Sequence, residues 1–133
     1  MNRIDFLKRI ILSGATIFVA KQVTTAAPTE VKDIYLNSPH IAGFQYYQGL
    51  KVEKALEEYD MLTLKREPQN PHDSFAVEVF RGNAKLGYLP STDNKVIARM
   101  MDQGVTLKAK IKNIDPDAHP FRRVKIRVYS EMG

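Results

Sequence analysis

The sequence predicts a mainly β protein, a small OB-like barrel of about six antiparallel strands with one or two inserted helices. Two stretches, 105–112 and 123–128, alternate apolar and polar residues with a period of two, as half-buried strands do. Four shorter segments also have the length and residue types of strands. About six short strands in about 100 residues favour a closed sheet, because closure removes unpaired edges.

The four shorter strands are predicted in the first two thirds of the chain. Their segments are 41–47, 61–66, 75–80 and 85–89. Arg81-Gly82-Asn83 is predicted to make a tight turn between the last two. Residues 51–59 have apolar side chains at near-helical spacing, which leaves a short helix or an irregular loop open.

One helix is predicted from residue 92 or 93 to residue 103. Ser91, Thr92 or Asp93 suits its N-terminal cap, and Gly104 suits its C-terminal end. Four apolar residues are expected to be buried on one face of this helix: Val96, Ile97, Met100 and Met101.

The two alternating stretches are predicted to pair as a hairpin, joined by residues 113–122, whose prolines and aspartates favour turns. Its buried face would hold Leu107, Ile111, Val124 and Ile126. Its outward face would gather six basic side chains: Lys108, Lys110, Lys112, Arg123, Lys125 and Arg127. Such a face is either a solvated, charge-guarded surface or a surface that contacts phosphates.

Residues 1–27 differ from the rest of the chain. Basic residues precede an apolar run at 10–20, and small residues follow at 24–27, which is the order of an export signal. The run is shorter than the roughly 20 residues that span a bilayer, so no permanent membrane span is predicted.

The stretch NRIDFLK also resembles a degenerate twin-arginine signal, with Ile4 in place of the second arginine. The predicted location is the periplasm or cell envelope, through this or a Sec route, and otherwise the cytoplasm. An amphipathic helix that stays with the protein is the alternative. Residues 28–133 are predicted to form the domain.

The composition and motifs of the chain exclude several classes of function. The 133 residues suit one domain and contain no cysteine, so thiolate catalysis and disulfides are excluded. The three histidines lack metal-ligand spacing, and no nucleophile or phosphate-loop motif occurs, so neither a metal, a cofactor nor an enzymatic activity is predicted. Residues 28–80 hold five basic and nine acidic side chains, whereas residues 81–133 hold eleven and five. The second half therefore carries the positive charge.

Three motifs occur in order along the chain: IAGFQYYQG at 41–49, LTLKREPQNPHDSFAV at 62–77 and KLGYLP at 85–90. Together they resemble the successive signatures of the HIRAN domain family, over about residues 34–129. That family includes N-terminal modules of fork-remodelling helicases and small stand-alone bacterial proteins, and this chain resembles the latter. The resemblance implies a modified OB barrel that binds the 3′ end of single-stranded DNA.

The same resemblance implies roles for individual residues. Tyr46 and His72 would stack on bases, and Asp73 would accept a hydrogen bond from the terminal 3′-hydroxyl. Tyr88 stands where some members contact phosphate with histidine, and Phe121 lies near the terminal nucleotide. Gln45 occupies the position of a phosphate-binding arginine, which predicts weakened binding.

Alternatives remain for these residues. The tyrosines at 46 and 47 are equally typical of packing in a strand, and Asp73 of a turn that closes on its own backbone. The function predicted is a nucleic-acid-binding module for single-stranded DNA with a 3′ end. The alternative is an exported structural or protein-interaction domain without DNA binding.

Overall fold

The structure, a computed structural model, describes residues 33–131. The predictions for residues 1–27 lie outside the described residues. Six strands form one sheet in which every neighbouring pair is antiparallel. The strands are β1 (Asp33–Asn37), β2 (Met61–Arg66), β3 (Val77–Arg81), β4 (Ala84–Tyr88), β5 (Leu107–Ile114) and β6 (Val124–Glu131). Their order across the sheet is β1-β6-β5-β2-β3-β4.

Within residues 33–131, two short α-helices and three single-turn 3₁₀ helices interrupt the strands. The α-helices are α1 (Gly49–Val52) and α2 (Lys95–Asp102), and the 3₁₀ helices are η1 (Phe44–Tyr46), η2 (Glu53–Ala55) and η3 (Pro120–Arg122). The prediction of a mainly β protein with six antiparallel strands and inserted helices is therefore confirmed. The region 51–59 contains parts of α1 and η2 and then an irregular stretch.

The segment between β1 and η1 lies between two distant strands of the sheet. His40 forms an isolated bridge with Lys125 on β6, and Ala42 forms one with Tyr88 on β4. The backbone amides of Ala42 and Tyr88 donate to each other's carbonyl oxygens at 2.8 and 2.9 Å. These bridges connect the segment to both halves of the sheet, while closure into an OB-like barrel stays a prediction.

One face of the sheet and the inner side of α2 enclose the hydrophobic core. The alternation predicted for the hairpin is confirmed, because Ile111, Val124 and Ile126 are fully buried and Leu107 is nearly so. Each of these side chains points inward at every second position, as the pleat of a strand requires. Ile97 and Ala98 of α2 are buried, and Met100 and Met101 pack against the core at its edge.

Three sequence predictions are wrong in this region. Residues 41–47 do not form a strand: Gly43 adopts a positive φ of 74°, and the chain then turns into η1. Val96 is not buried but 66% exposed, because the inner face of α2 carries Ile97 and Ala98 instead. The residue at the N-cap is Asn94 rather than Ser91, Thr92 or Asp93. The sequence also gave no sign of β1.

Candidate nucleic-acid interface

The loop between β2 and β3 is shaped by two of its own side chains. The Asn70 side-chain oxygen accepts hydrogen bonds from the backbone amides of His72, at 2.8 Å, and Asp73, at 3.0 Å. One carboxylate oxygen of Asp73 accepts from the backbone amide of Phe75 at 2.9 Å. Asparagine and aspartate close turns in this way because their short side chains reach the backbone two or three residues on.

The second oxygen of Asp73 ties this loop to the start of α2. The Asn94 side-chain amide donates to it at 2.8 Å, and Asn94 is only 2% exposed. Each carboxylate oxygen therefore holds one hydrogen bond from the protein and keeps a lone pair for a further donor. Asp73 is half-buried, and His72 beside it is exposed.

Tyr88 lies in a chain of polar contacts beside the same loop. Its hydroxyl donates to Glu67 at 2.6 Å and accepts from the Lys85 ammonium at 2.8 Å. Asn70 donates to the same Glu67 oxygen at 2.6 Å. The Lys85 ammonium also pairs with Glu78 at 3.1 Å. The Tyr88 hydroxyl is thus already engaged by two charged partners.

These contacts fix the protonation states of the cluster. The hydrogen bond from Tyr88, then that from Asn70, lowers the pKa of Glu67. Burial, reinforced by the bond to Glu67, raises the pKa of Tyr88, so its phenol stays neutral. Burial opposes the charge on Lys85, but hydrogen bonds to Tyr88 and Glu78 outweigh that effect and raise its pKa.

Lys85 also lies against two aromatic rings. Its ammonium is 4.2 Å from the ring centroids of both Tyr47 and Tyr88, and the two rings meet edge to face at 5.6 Å. A cation held over two ring faces stabilises their positions as well as its own. Several mutual contacts therefore hold the side chains of this cluster in place beside η1.

A cleft with a volume of about 410 Å³ is connected to this cluster through Ala42, which lines the cleft and forms a bridge with Tyr88. Its cationic or titratable side chains are His40, Arg122 and Lys125, opposed by the carboxylate of Asp93. Phe121, on η3, supplies an aromatic surface that is 49% exposed. Burial, and then the charges of Lys125 and Arg122, lowers the pKa of His40. The remaining lining residues are Ser38, Pro39, Ala42, Pro90 and Thr92.

Of the predicted site residues, Phe121 and Lys125 line this cleft, and others are connected to it through neighbouring residues and elements. Tyr46 is 77% exposed on η1, which contacts the η3 turn that carries Phe121. Ala42 lines the cleft and pairs with Tyr88, while Asp73 is bonded to Asn94, the neighbour of Asp93. The structure therefore brings Tyr46, Tyr88 and Phe121 into one region, with the 70–73 loop at its border.

Gln45 differs from its neighbours on η1. Its side-chain oxygen is buried and has no hydrogen-bond partner among the described residues. An unpaired buried acceptor is costly, because it loses water without gaining a donor. The position that the resemblance assigns to phosphate binding thus holds an amide with an unused acceptor.

The six basic side chains of the hairpin differ in position and in their partners. Lys125 lines the cleft, and Lys112 is exposed at a β-bulge in β5. Lys110 and Arg127 face each other across the two strands. Lys108 is paired with Glu131 at 2.8 Å. Arg123 is occupied by Glu53, at 3.3 Å, and by two hydrogen bonds to the Ala118 carbonyl.

Several residues of this region were missed by sequence reasoning. His40 and Arg122 lie outside all three motifs, and only the folded chain brings them to Lys125. Lys85 and Tyr88 are three residues apart and would point to opposite faces of a regular strand. A bulge between Val79 and Phe80 changes the register and allows them to meet.

Between residues 33 and 131, no group of three or more histidine, aspartate or glutamate side chains is placed to hold a metal ion. In the same part of the chain, no helix is both long and apolar enough to cross a membrane.

The fold and the cleft define a small β-sheet binding module. A family model of the HIRAN domain matches residues 36–133, so the chain belongs to the HIRAN domain family, whose members are binding modules rather than catalytic domains. It is 32% identical over 78 residues to the helicase-like transcription factor of Oryctolagus cuniculus. That match covers 58% of this chain but 7% of the relative's length.

Two crystal structures share this fold. A protein from Lactobacillus plantarum superposes with a TM-score of 0.69 at 23% identity, over 78% of this chain and all of that one. The HIRAN domain of human HLTF superposes with a TM-score of 0.59 at 20% identity, over 75% of this chain and 79% of that one. At these identities the likeness concerns the fold alone.

Proposed function

We propose that this domain binds the 3′ end of single-stranded DNA in the cleft between η3, the segment that precedes η1 and the residues that precede α2. The observation that carries the proposal is the cleft itself, in which an exposed aromatic ring and three cationic or titratable side chains meet in a HIRAN domain. Such a combination of stacking surfaces and positive charge is how proteins hold single strands.

The exposed aromatic residues provide the first part of the argument. Tyr46 is 77% and Phe121 49% exposed, although burial of such rings is strongly favourable. Each ring is carried by a residue of a 3₁₀ turn, so little backbone freedom would be lost when a base stacks on it. Stacking contributes about 1 to 3 kcal/mol per base.

Charge provides the second part. Neither Arg122 nor Lys125 forms an ion pair with the described residues, whereas five other basic side chains do. Phosphate groups would supply the missing partners and release counterions on binding. Asp93 is the acidic residue in the cleft, and it would disfavour a phosphate placed beside α2.

Asp73 provides selectivity for the end of the strand. Its carboxylate is held by Phe75 and Asn94 and retains acceptor capacity. A terminal 3′-hydroxyl would donate to it, whereas a 3′-phosphate would be repelled by its charge. The missing arginine at Gln45 would cost about 1.5 to 3 kcal/mol, the usual contribution of a charged hydrogen bond, so we expect micromolar affinity.

The test compares one oligonucleotide with a free 3′-hydroxyl and the same oligonucleotide with a 3′-phosphate, by fluorescence anisotropy at low salt. The hydroxyl end should bind more tightly, and Asp73→Ala should remove that preference. Asn94→Ala is the matched control, because it also deletes a bond to this carboxylate but leaves the acceptor in place. Gln45→Arg should tighten both ligands about tenfold. Equal binding of both ends, or no binding, would contradict the proposal.

A second candidate is an exported protein-interaction domain. A groove of about 370 Å³ between β1 and α2 favours it, because the groove is lined by Leu36 and Met100 and by Val96, which is 66% exposed. We propose export through the signal at residues 1–27 for this case. The mass of the mature N-terminus in the native host tests it: cleavage after residue 26 or 27 supports export, and an intact Met1 contradicts it.

A further inference from the structure

The face of β1, β6 and β5 that points away from the core carries a second group of aromatic and basic side chains. We call it the outer face and define it by Tyr35, Lys110, Arg127 and Tyr129. Tyr35 is the register partner of Tyr129, and Lys110 is the register partner of Arg127. Together with Asp33 they line a groove of about 220 Å³. Among the described residues, neither α1 nor α2 supplies a side chain to this groove.

The pair Lys110 and Arg127 is unusual for an antiparallel sheet. Like charges directly opposite each other are destabilising, and neither residue has a carboxylate within ion-pair distance among residues 33–131. Two residues along β5, Lys108 shows the ordinary arrangement, because Glu131 pairs with it at 2.8 Å. The two unpaired charges therefore leave a positive site that an anion would stabilise.

Each of these cations also lies over a tyrosine ring. The Arg127 guanidinium is 4.5 Å from the Tyr35 ring centroid, and the Lys110 ammonium is 5.6 Å from that of Tyr129. Tyr35 remains 51% exposed, so much of its ring is free to contact a ligand. Tyr129 is only 7% exposed, so Tyr35 is the ring of this face on which a base can stack. An exposed ring beside unpaired cations can bind single-stranded nucleic acid, with a base on the ring and phosphates on the cations.

The outer face continues directly from the cleft. Lys125 lines the cleft, and Arg127 follows two residues later on β6, so both side chains point to the same side of the strand about 7 Å apart. We propose that the outer face binds the nucleotides that precede the 3′ end, so that one single strand runs from the cleft along β6. This inference rests on the proposed function and extends it to the length of strand that is bound.

The experiment compares oligonucleotides of about three and about ten nucleotides, both with a free 3′-hydroxyl, by fluorescence anisotropy. The longer strand should bind about tenfold more tightly or better. Lys110→Ala and Arg127→Ala should each remove about fivefold to tenfold of that gain and leave the short strand unaffected. Lys51→Ala, which makes the same charge change on α1, is the control and should alter neither.

Tyr35 separates stacking from charge. Tyr35→Phe keeps the ring and removes only its hydrogen bond to Ser38, so the gain with length should remain. Tyr35→Ala should reduce the gain by about threefold or more. Equal affinity for both lengths, or equal effects of Lys110→Ala and Lys51→Ala, would overturn the inference while the end preference still supports the proposed function. Absence of binding by either strand would overturn both.

Discussion

The conformation of the loop at 67–76 depends on Asn70 and Asp73 more than on its two prolines. Asn70 accepts from two backbone amides, and Asp73 caps a third. Self-capping follows from residue type, so the turn was foreseeable from the sequence. The bond from Asn94 to Asp73 was not, because it joins residues 21 positions apart through the placement of α2. The same turn that orients Asp73 for a ligand is thus needed by the fold.

His40 gives the cleft a predicted pH response. Its pKa is lowered by burial, then by Lys125 and Arg122, so the ring is neutral in the free protein near neutral pH. A bound phosphate would offset the two positive charges and raise that pKa, so binding takes up a proton. Affinity for single-stranded DNA should therefore rise several-fold as pH falls from about 7.5 to about 5.5.

The stability of the fold should instead decrease as pH falls. Because the folded pKa of His40 lies below the unfolded value of about 6.5, the neutral ring contributes stability above that pH, and this is lost as pH falls through the folded value. Anisotropy titrations at several pH values test the predicted rise in affinity for single-stranded DNA. His40→Gln, which stays neutral throughout, should flatten the profile; an unchanged slope in that variant would assign the response to other groups.

Among the elements, the period-two strands were predictable and the 41–47 segment was not. Alternation of apolar and polar residues predicts that every second side chain of β5 and β6 lies in the core, as observed for Leu107, Ile111, Val124 and Ile126. The aromatic residues at 44–47 also suggest a strand, but the positive φ of Gly43 turns the backbone away from the sheet. The strand propensity of these aromatic residues is overridden here by the tertiary structure, which places them in η1. Strand β1 was missed because its five residues, DIYLN, do not alternate apolar and polar side chains.

Gly87 should be the most sensitive glycine of the sheet. Its φ is +149°, and a Cβ atom there would collide with the carbonyl oxygen of Ala42. Gly87→Ala should therefore break the bridge between β4 and the segment that borders the cleft, and lower the free energy of unfolding by at least about 2 kcal/mol. Urea unfolding measures this.

Gly82→Ala is the matched control for that change. Gly82 also has a positive φ, of 60°, but a Cβ there meets nothing within 4 Å. Only backbone strain of about 1 kcal/mol is expected. Similar losses in the two variants would show that contact with Ala42 does not determine the cost at Gly87.

For the whole molecule, the sequence predicted the charge asymmetry but not its local distribution. The chain carries a net charge of +5, with most of the excess after residue 80. Folding then neutralises part of the basic hairpin, at Lys108 and Arg123. Within the described residues it leaves unpaired Lys112 at the bulge and the four cations of the cleft and the outer face: Arg122, Lys125, Lys110 and Arg127. Which cations are paired depends on partners such as Glu53 and Glu131, which are distant in the sequence or lie at a strand end. Composition alone does not contain that information.

Those four unpaired cations set the predicted salt dependence. If each contacts one phosphate of a long single strand, the slope of log K against log salt should be close to −3, since each contact contributes about −0.7. Lys110→Ala should make the slope less steep by about 0.7, whereas Lys51→Ala should leave it unchanged. The measurement is a series of anisotropy titrations at increasing sodium chloride concentration. A slope near zero, with binding retained, would show that stacking on Tyr46 and Phe121 holds the strand without phosphate contacts.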